Sequence, residues 1–189
     1  MTPARWPRLL ATGATLGVVS LAIFAGLHSL VVKPIWTQLL GGLPFVLAIG
    51  VTVTWAYDEF LAAAAGTRGA GGMRFGAMMW LASLPAVAFA SVMRVQLGGP
   101  LPVWSEIVAG LLALGGGAGI MAAVTRSRRA AIAAGVASLA LLAGGGGPLP
   151  ILRGGRVAEL WFGLFVLEVI GGAILAQLHR RWVPAREAR

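Results

Sequence analysis

Six apolar stretches, each long enough to cross a bilayer, leave this chain little choice of environment. Leu9 to Val32, Pro34 to Tyr57, Phe75 to Met93, Ile107 to Thr125 and Ala130 to Leu152 contain no Asp, Glu, Lys or Arg. A helix needs about 20 predominantly apolar residues to cross the hydrocarbon core, and each run supplies them. Val157 to Leu178 is equally apolar apart from Glu159 and Glu168. The runs are continuous rather than alternating, which excludes a lipid-exposed sheet. The expected fold is therefore all-α, a polytopic membrane protein with a six-transmembrane-helix bundle. The expected spans are 9–32, 36–57, 75–93, 103–125, 130–147 and 157–178, within one membrane domain covering 1–189. Composition agrees: 58% of residues are hydrophobic and 11% charged, where a soluble domain carries about 25% charge. The first span is too long for a signal-peptide core and no Ala-x-Ala site follows it, so it is read as retained.

The net charge of +9 would suggest a nucleic-acid partner in a soluble protein, so placement decides its meaning. The basic residues sit at the ends of spans, with no basic run interleaved with aromatics. With six spans, Arg5, Arg8, Arg68, Arg74, Arg126, Arg128, Arg129, Arg180, Arg181, Arg186 and Arg189 fall on one side of the membrane, and Lys33, Arg94, Arg153 and Arg156 on the other. The positive-inside rule assigns the richer side to the cytoplasm. The expectation is a multi-pass protein of the cell inner membrane, N-in and C-in, with lipid rather than nucleic acid as its partner. The chain has no cysteine, which excludes disulfides, thiol nucleophiles and cysteine-ligated metal.

Gly98-Gly99-Pro100-Leu101-Pro102 recurs as Gly146-Gly147-Pro148-Leu149-Pro150, and each copy leads into a glutamate-bearing helix. Either the hairpin of spans three and four is duplicated as spans five and six, a parallel repeat, or two glycine-rich hairpins coincide. Glycine, at 28 of 189 residues, is about twice as frequent as usual. Gly13 with Gly17, Gly115 with Gly119, and Gly172 with Ala176 stand four apart, a spacing that lets helix backbones approach closely. Such faces serve packing within the chain, a homo-oligomer or other membrane subunits. Span five, almost entirely small residues, is expected to be the most enclosed. Trp6, Trp36, Trp55, Trp104, Trp161 and Trp182 fall near span boundaries, as interfacial rings do, and Trp80 lies deeper.

Glu168 is the sharpest chemical signal. It lies near the centre of span six, where an unpaired charge costs several kcal/mol. It reads either as a proton-coupling or solute-binding carboxylate or as a neutral acid bonded to a neighbouring backbone. Gly171 and Gly172 put a notch on its face. Glu106 and Glu159 stand in the first turns of their helices, where the dipole and free N–H groups favour an anion. Glu159 and Glu168 are nine residues apart, so they face opposite ways. A wider reading gathers Glu106, Glu159, His28, Lys33, Arg94, Arg153 and Arg156 at an outer mouth for a charged solute, against an ordinary interfacial ion-pair network. His28 and His179 belong to opposite membrane sides, which disfavours a bis-histidine haem. Asp58 and Glu59 close span two, where Phe60 to Ala65 prolongs the helix, and Arg68 or Arg74 is the expected compensation for these charges.

No catalytic or metal motif is present, so no cofactor is expected and an enzyme is the least favoured class. Two readings remain: a transporter or membrane-embedded solute-binding subunit with a mid-membrane carboxylate, and a non-catalytic accessory or scaffold subunit of a larger membrane complex.

Overall fold

The computed structural model describes residues 5–29, 36–64, 71–97, 102–143 and 157–183, without the side chains at 24–29, 36–41, 94–95, 157–164 and 167. These residues form six helices: α1 (Arg5–Ser29), α2 (Trp36–Ala63), α3 (Gly71–Leu97), α4 (Val103–Thr125), α5 (Arg128–Ala143) and α6 (Val157–Trp182). No strand occurs among them. Four helices contain segments long and apolar enough to cross a membrane, at Arg5–Ile23, Gly42–Ala63, Gly71–Met93 and Val103–Thr125. α5 has 16 residues, about 24 Å at 1.5 Å per residue, short of a core about 30 Å thick. The remainder of the span expected at 130–147 lies outside the described residues. α2 runs past Tyr57 to Ala63, as Phe60 to Ala65 led one to expect.

The principal helix contacts close a ring in the order α1, α2, α5, α4, α3, α6. Small residues set how closely its members approach. A methyl group at Gly13 would stand 2.5 Å from the Val51 Cα, and one at Gly50 would strike the Gly13 carbonyl oxygen, so α1 and α2 meet backbone to backbone. On the other side of the ring, Gly72 of α3 faces the Gly172 carbonyl and Ala176 of α6, and Gly76 faces the Glu168 carbonyl. α3 and α4 pack as a close hairpin, whereas α6 lies on α3 and α1 rather than pairing with α5, so the two hairpins of the sequence repeat pack differently.

The spacing at Gly115 and Gly119 has the opposite outcome. Both are exposed, and an added methyl at either would meet nothing within 4 Å. Four-residue spacing defines a face, but only tertiary structure decides whether a neighbour covers it. α5 is the enclosed helix that its composition implied, burying eight of its 16 residues against six of 23 in α4. Ser127 caps it: the Ala130 N–H donates to Ser127 Oγ (3.3 Å) and the Ala131 N–H to the Ser127 carbonyl (3.0 Å). The turn before it places Arg126 at φ 53°, the left-handed conformation that often ends helices.

The core is concentrated toward the Arg5 end of the ring, where Tyr57 and Phe60 of α2, Phe75 of α3, Met121 of α4, Ala130, Ala133 and Ala134 of α5 and Leu175 of α6 cluster. Tyr57 and Phe75 meet edge to face at 5.3 Å. Arg8, Arg74, Arg126, Arg128, Arg129, Arg180 and Arg181 are all exposed, at the start or end of their helices. Trp6, Trp104 and Trp182, also at helix ends, are exposed as interfacial rings would be. Trp80 instead packs edge to face on Phe165 of α6, with centroids 4.9 Å apart.

Candidate functional site

Glu168 stands near the middle of α6, where α3 lies close against it. The absent side chain of Gly76 allows α3 to lie against the Glu168 carbonyl, and the Trp80–Phe165 pair sits one turn toward the start of α6. The carboxyl group faces the interior of the ring. It lines a small cavity of about 10 Å³ with Met79 and Ser83 of α3, Ala113 of α4, and Ser138, Leu141 and Leu142 of α5. Glu168 Oε2 is buried and has no hydrogen-bond partner among the described residues, and the same holds for Ser138 Oγ. Ser83 Oγ donates to the Trp80 carbonyl at 2.7 Å, an i to i−3 bond within α3. A hydrogen bond from Glu168 Oε2 to a neighbouring backbone, one of the two readings of this residue, does not occur among the described residues. Gly172, one turn on, meets Gly72, while Gly171 has open space around it, so only half of the expected notch admits a helix.

A second polar cluster closes the Arg5 end. The Arg5 guanidinium donates to Asp58 Oδ1 through Nη2, and the His179 Nε2 lies 2.9 Å from the same oxygen. Arg5 is 6% exposed, Asp58 1% and His179 7%, so the network is buried and ties the start of α1 to the ends of α2 and α6. Tyr57 supports the imidazole edge to face, with centroids 5.3 Å apart and planes at 88°. Of the two compensations expected for Asp58 and Glu59, the one by Arg74 is corrected. Arg74 is exposed, Arg68 lies outside the described residues, and the partners come from α1 and α6. The reason is reach: α2 continues for more than a turn beyond Asp58, so the carboxylate sits inside the bundle among facing helices rather than at the loop. Buried charge demands a partner at that depth.

The outer mouth is mostly beyond view. Lys33, Arg153 and Arg156 lie outside the described residues, as do the side chains of His28, Arg94 and Glu159, although these three stand on helical backbone. Glu106 is described, in the first turn of α4 where the dipole argument put it, and it is exposed. It borders a shallow apolar groove of about 390 Å³ with Val103, Ile107, Gly110, Leu111, Leu114 and Leu139, where α4 and α5 meet the surface. Glu106 and Glu168 line separate cavities. No group of three or more His, Cys, Asp or Glu suited to a metal occurs among the described residues.

Ser138 and the Arg5–Asp58–His179 network are absent from the candidates drawn from sequence. Ser138 did carry a signal, as the only polar side chain between Ala130 and Ala143. The network carried none: its members are 53 and 121 residues apart, beyond any local periodicity. No family model, curated protein or solved structure matches the chain.

Proposed function

We propose that the chain is a six-span protein of the cell inner membrane, with both termini in the cytoplasm, acting as a transporter or membrane-embedded solute-binding subunit. Glu168 is its coupling carboxylate. The observation that carries this reading is the buried, unpartnered Oε2 of Glu168 facing an internal cavity at the junction of four helices. Ionisable groups held at such depth are costly and mark ion or substrate pathways. The orientation rests on the eleven-to-four division of basic residues and agrees with the meeting of Arg5, Asp58 and His179 at one end. The cavity is water-sized, so in this reading Glu168 handles a proton and the solute binds elsewhere. Reconstituted vesicles under an imposed pH gradient, given labelled acetate, phosphate, methylamine and amino acids, test it. Gradient-dependent accumulation of a probe that is lost in Glu168→Gln supports the reading. Unchanged gradient dependence in the variant removes the coupling role.

A second reading, an accessory or scaffold subunit without catalytic activity, is favoured by the open strip at Gly115 and Gly119 beside exposed Leu111 on α4. Such a strip suits a close helix contact with another chain or a second copy. Because the chain lacks cysteine, Gly115→Cys reports directly: disulfide-linked dimers or mixed adducts in native membranes support this reading, and a thiol that reacts only with lipid-soluble reagents speaks against it.

A further inference from the structure

Glu168 Oε2 and Ser138 Oγ, two buried oxygens without partners, come from different helices yet line one cavity. Its volume of about 10 Å³ is close to the roughly 10–15 Å³ that one water molecule needs, and a buried water typically makes about three hydrogen bonds. Ser83 lines the same cavity; its hydroxyl proton goes to the Trp80 carbonyl, and a hydroxyl oxygen carries two acceptor lone pairs. The remaining wall is Met79, Ala113, Leu141 and Leu142, so neither α3, α4 nor α5 brings a titratable or charged group to face the carboxyl. An anion there would meet mostly thioether and methyl groups, and no cation on the wall offsets its desolvation. A neutral acid, by contrast, donates its own proton to a water. Three side-chain oxygens are too few for a hard divalent cation, which takes six or more oxygen ligands. Gly117 of α4 maintains the arrangement, since a methyl group there would collide with Ser138 Oγ.

We propose that Glu168, Ser138 and Ser83 form an occluded proton site built around a single water molecule. The carboxyl O–H of α6 donates to the water, and the water bonds to the hydroxyls of α5 and α3. This site is the form in which the bundle holds the proton that the transport reading requires. It deepens that reading and rests on it for its functional meaning.

Infrared difference spectroscopy of the full chain in lipid vesicles, in H₂O and D₂O at neutral pH, tests the site. The expected spectrum contains a carboxylic C=O band that shifts in D₂O and is lost in Glu168→Gln. The band moves to higher wavenumber in Ser138→Ala and in Ser83→Ala, as the water loses a partner and its bond to the carboxyl weakens. Both substitutions remove one oxygen from helices whose packing is otherwise kept, so either alone reads the site. A band at the same position in both variants overturns the proposal, as does a band that sodium chloride abolishes by placing a metal cation in the cavity. The two claims separate cleanly. Uptake indifferent to pH with the band shifts intact sinks the transport reading and leaves the site, whereas unshifted bands sink the site whatever the uptake.

Discussion

The molecule buries carboxylates in two places and treats them in opposite ways. At the Arg5 end, Asp58 is met by a guanidinium from α1 and an imidazole from α6, and an aromatic cluster packs beneath them. In the middle of the ring, Glu168 faces two serines, a methionine and aliphatic side chains, with its Oε2 unpartnered. The two regions share one face of α6: Glu168, Gly172, Leu175 and His179 follow at spacings of four, three and four. One helix therefore carries at its end the imidazole that meets Asp58 and at its centre an acid whose Oε2 has no partner among the described residues. Most buried polar groups find a partner, and a carboxyl oxygen left without one calls for an explanation. On that difference we propose a structural role for Asp58 and a functional one for Glu168.

The largest effect should come from Asp58→Ala. It removes the carboxylate that Arg5 and His179 share in a buried site, and breaking a buried pair by removing one partner costs about 3–5 kcal/mol. Denaturant titration of the detergent-solubilised protein measures it; a loss below 1 kcal/mol would erase the distinction between the regions. Gly172→Ala tests the seam between them. The added methyl strikes the Gly72 carbonyl, and overpacking of this kind costs about 1–3 kcal/mol. Gly115→Ala, with open space around it, should stay within about 0.5 kcal/mol of wild type. Equal effects at the two glycines would mean that α3 and α6 do not meet as described. Ser127→Ala removes the cap of α5 and should cost about 1 kcal/mol, read in the same titration. It calibrates what an ordinary satisfied hydrogen bond at the Arg5 end contributes.

Much of this was legible in the chain. Apolar run length gave the helices, because the bilayer imposes a minimum length that no local detail overrides. The glycines at 13, 17 and 172 pack as their spacing implied, and Glu168 stood out because an acid amid Leu, Val, Ile and Gly is costly wherever that helix sits. What stayed hidden is long-range. Arg74 was offered to Asp58 as a partner near in sequence, whereas Arg5 and His179 reach it from the first and last helices. Gly115 and Gly119 repeat the motif of Gly13 and Gly17 and meet nothing, because spacing fixes the stripe and only the ring order fixes its neighbour. Ser138 became a candidate only when α5 set it beside the same cavity as Glu168.

The most direct test of the claim that these carboxylates differ in kind is the unfolding stability of Glu168→Gln beside that of Asp58→Asn, in the same detergent. Gln keeps the shape of a neutral acid and gives the cavity water a donor, so Glu168→Gln should unfold at or slightly above the wild-type midpoint. Asn takes away the buried carboxylate that Arg5 and His179 share, so Asp58→Asn should unfold well below it. A Glu168→Gln variant as unstable as Asp58→Asn would make Glu168 a structural residue and contradict the account.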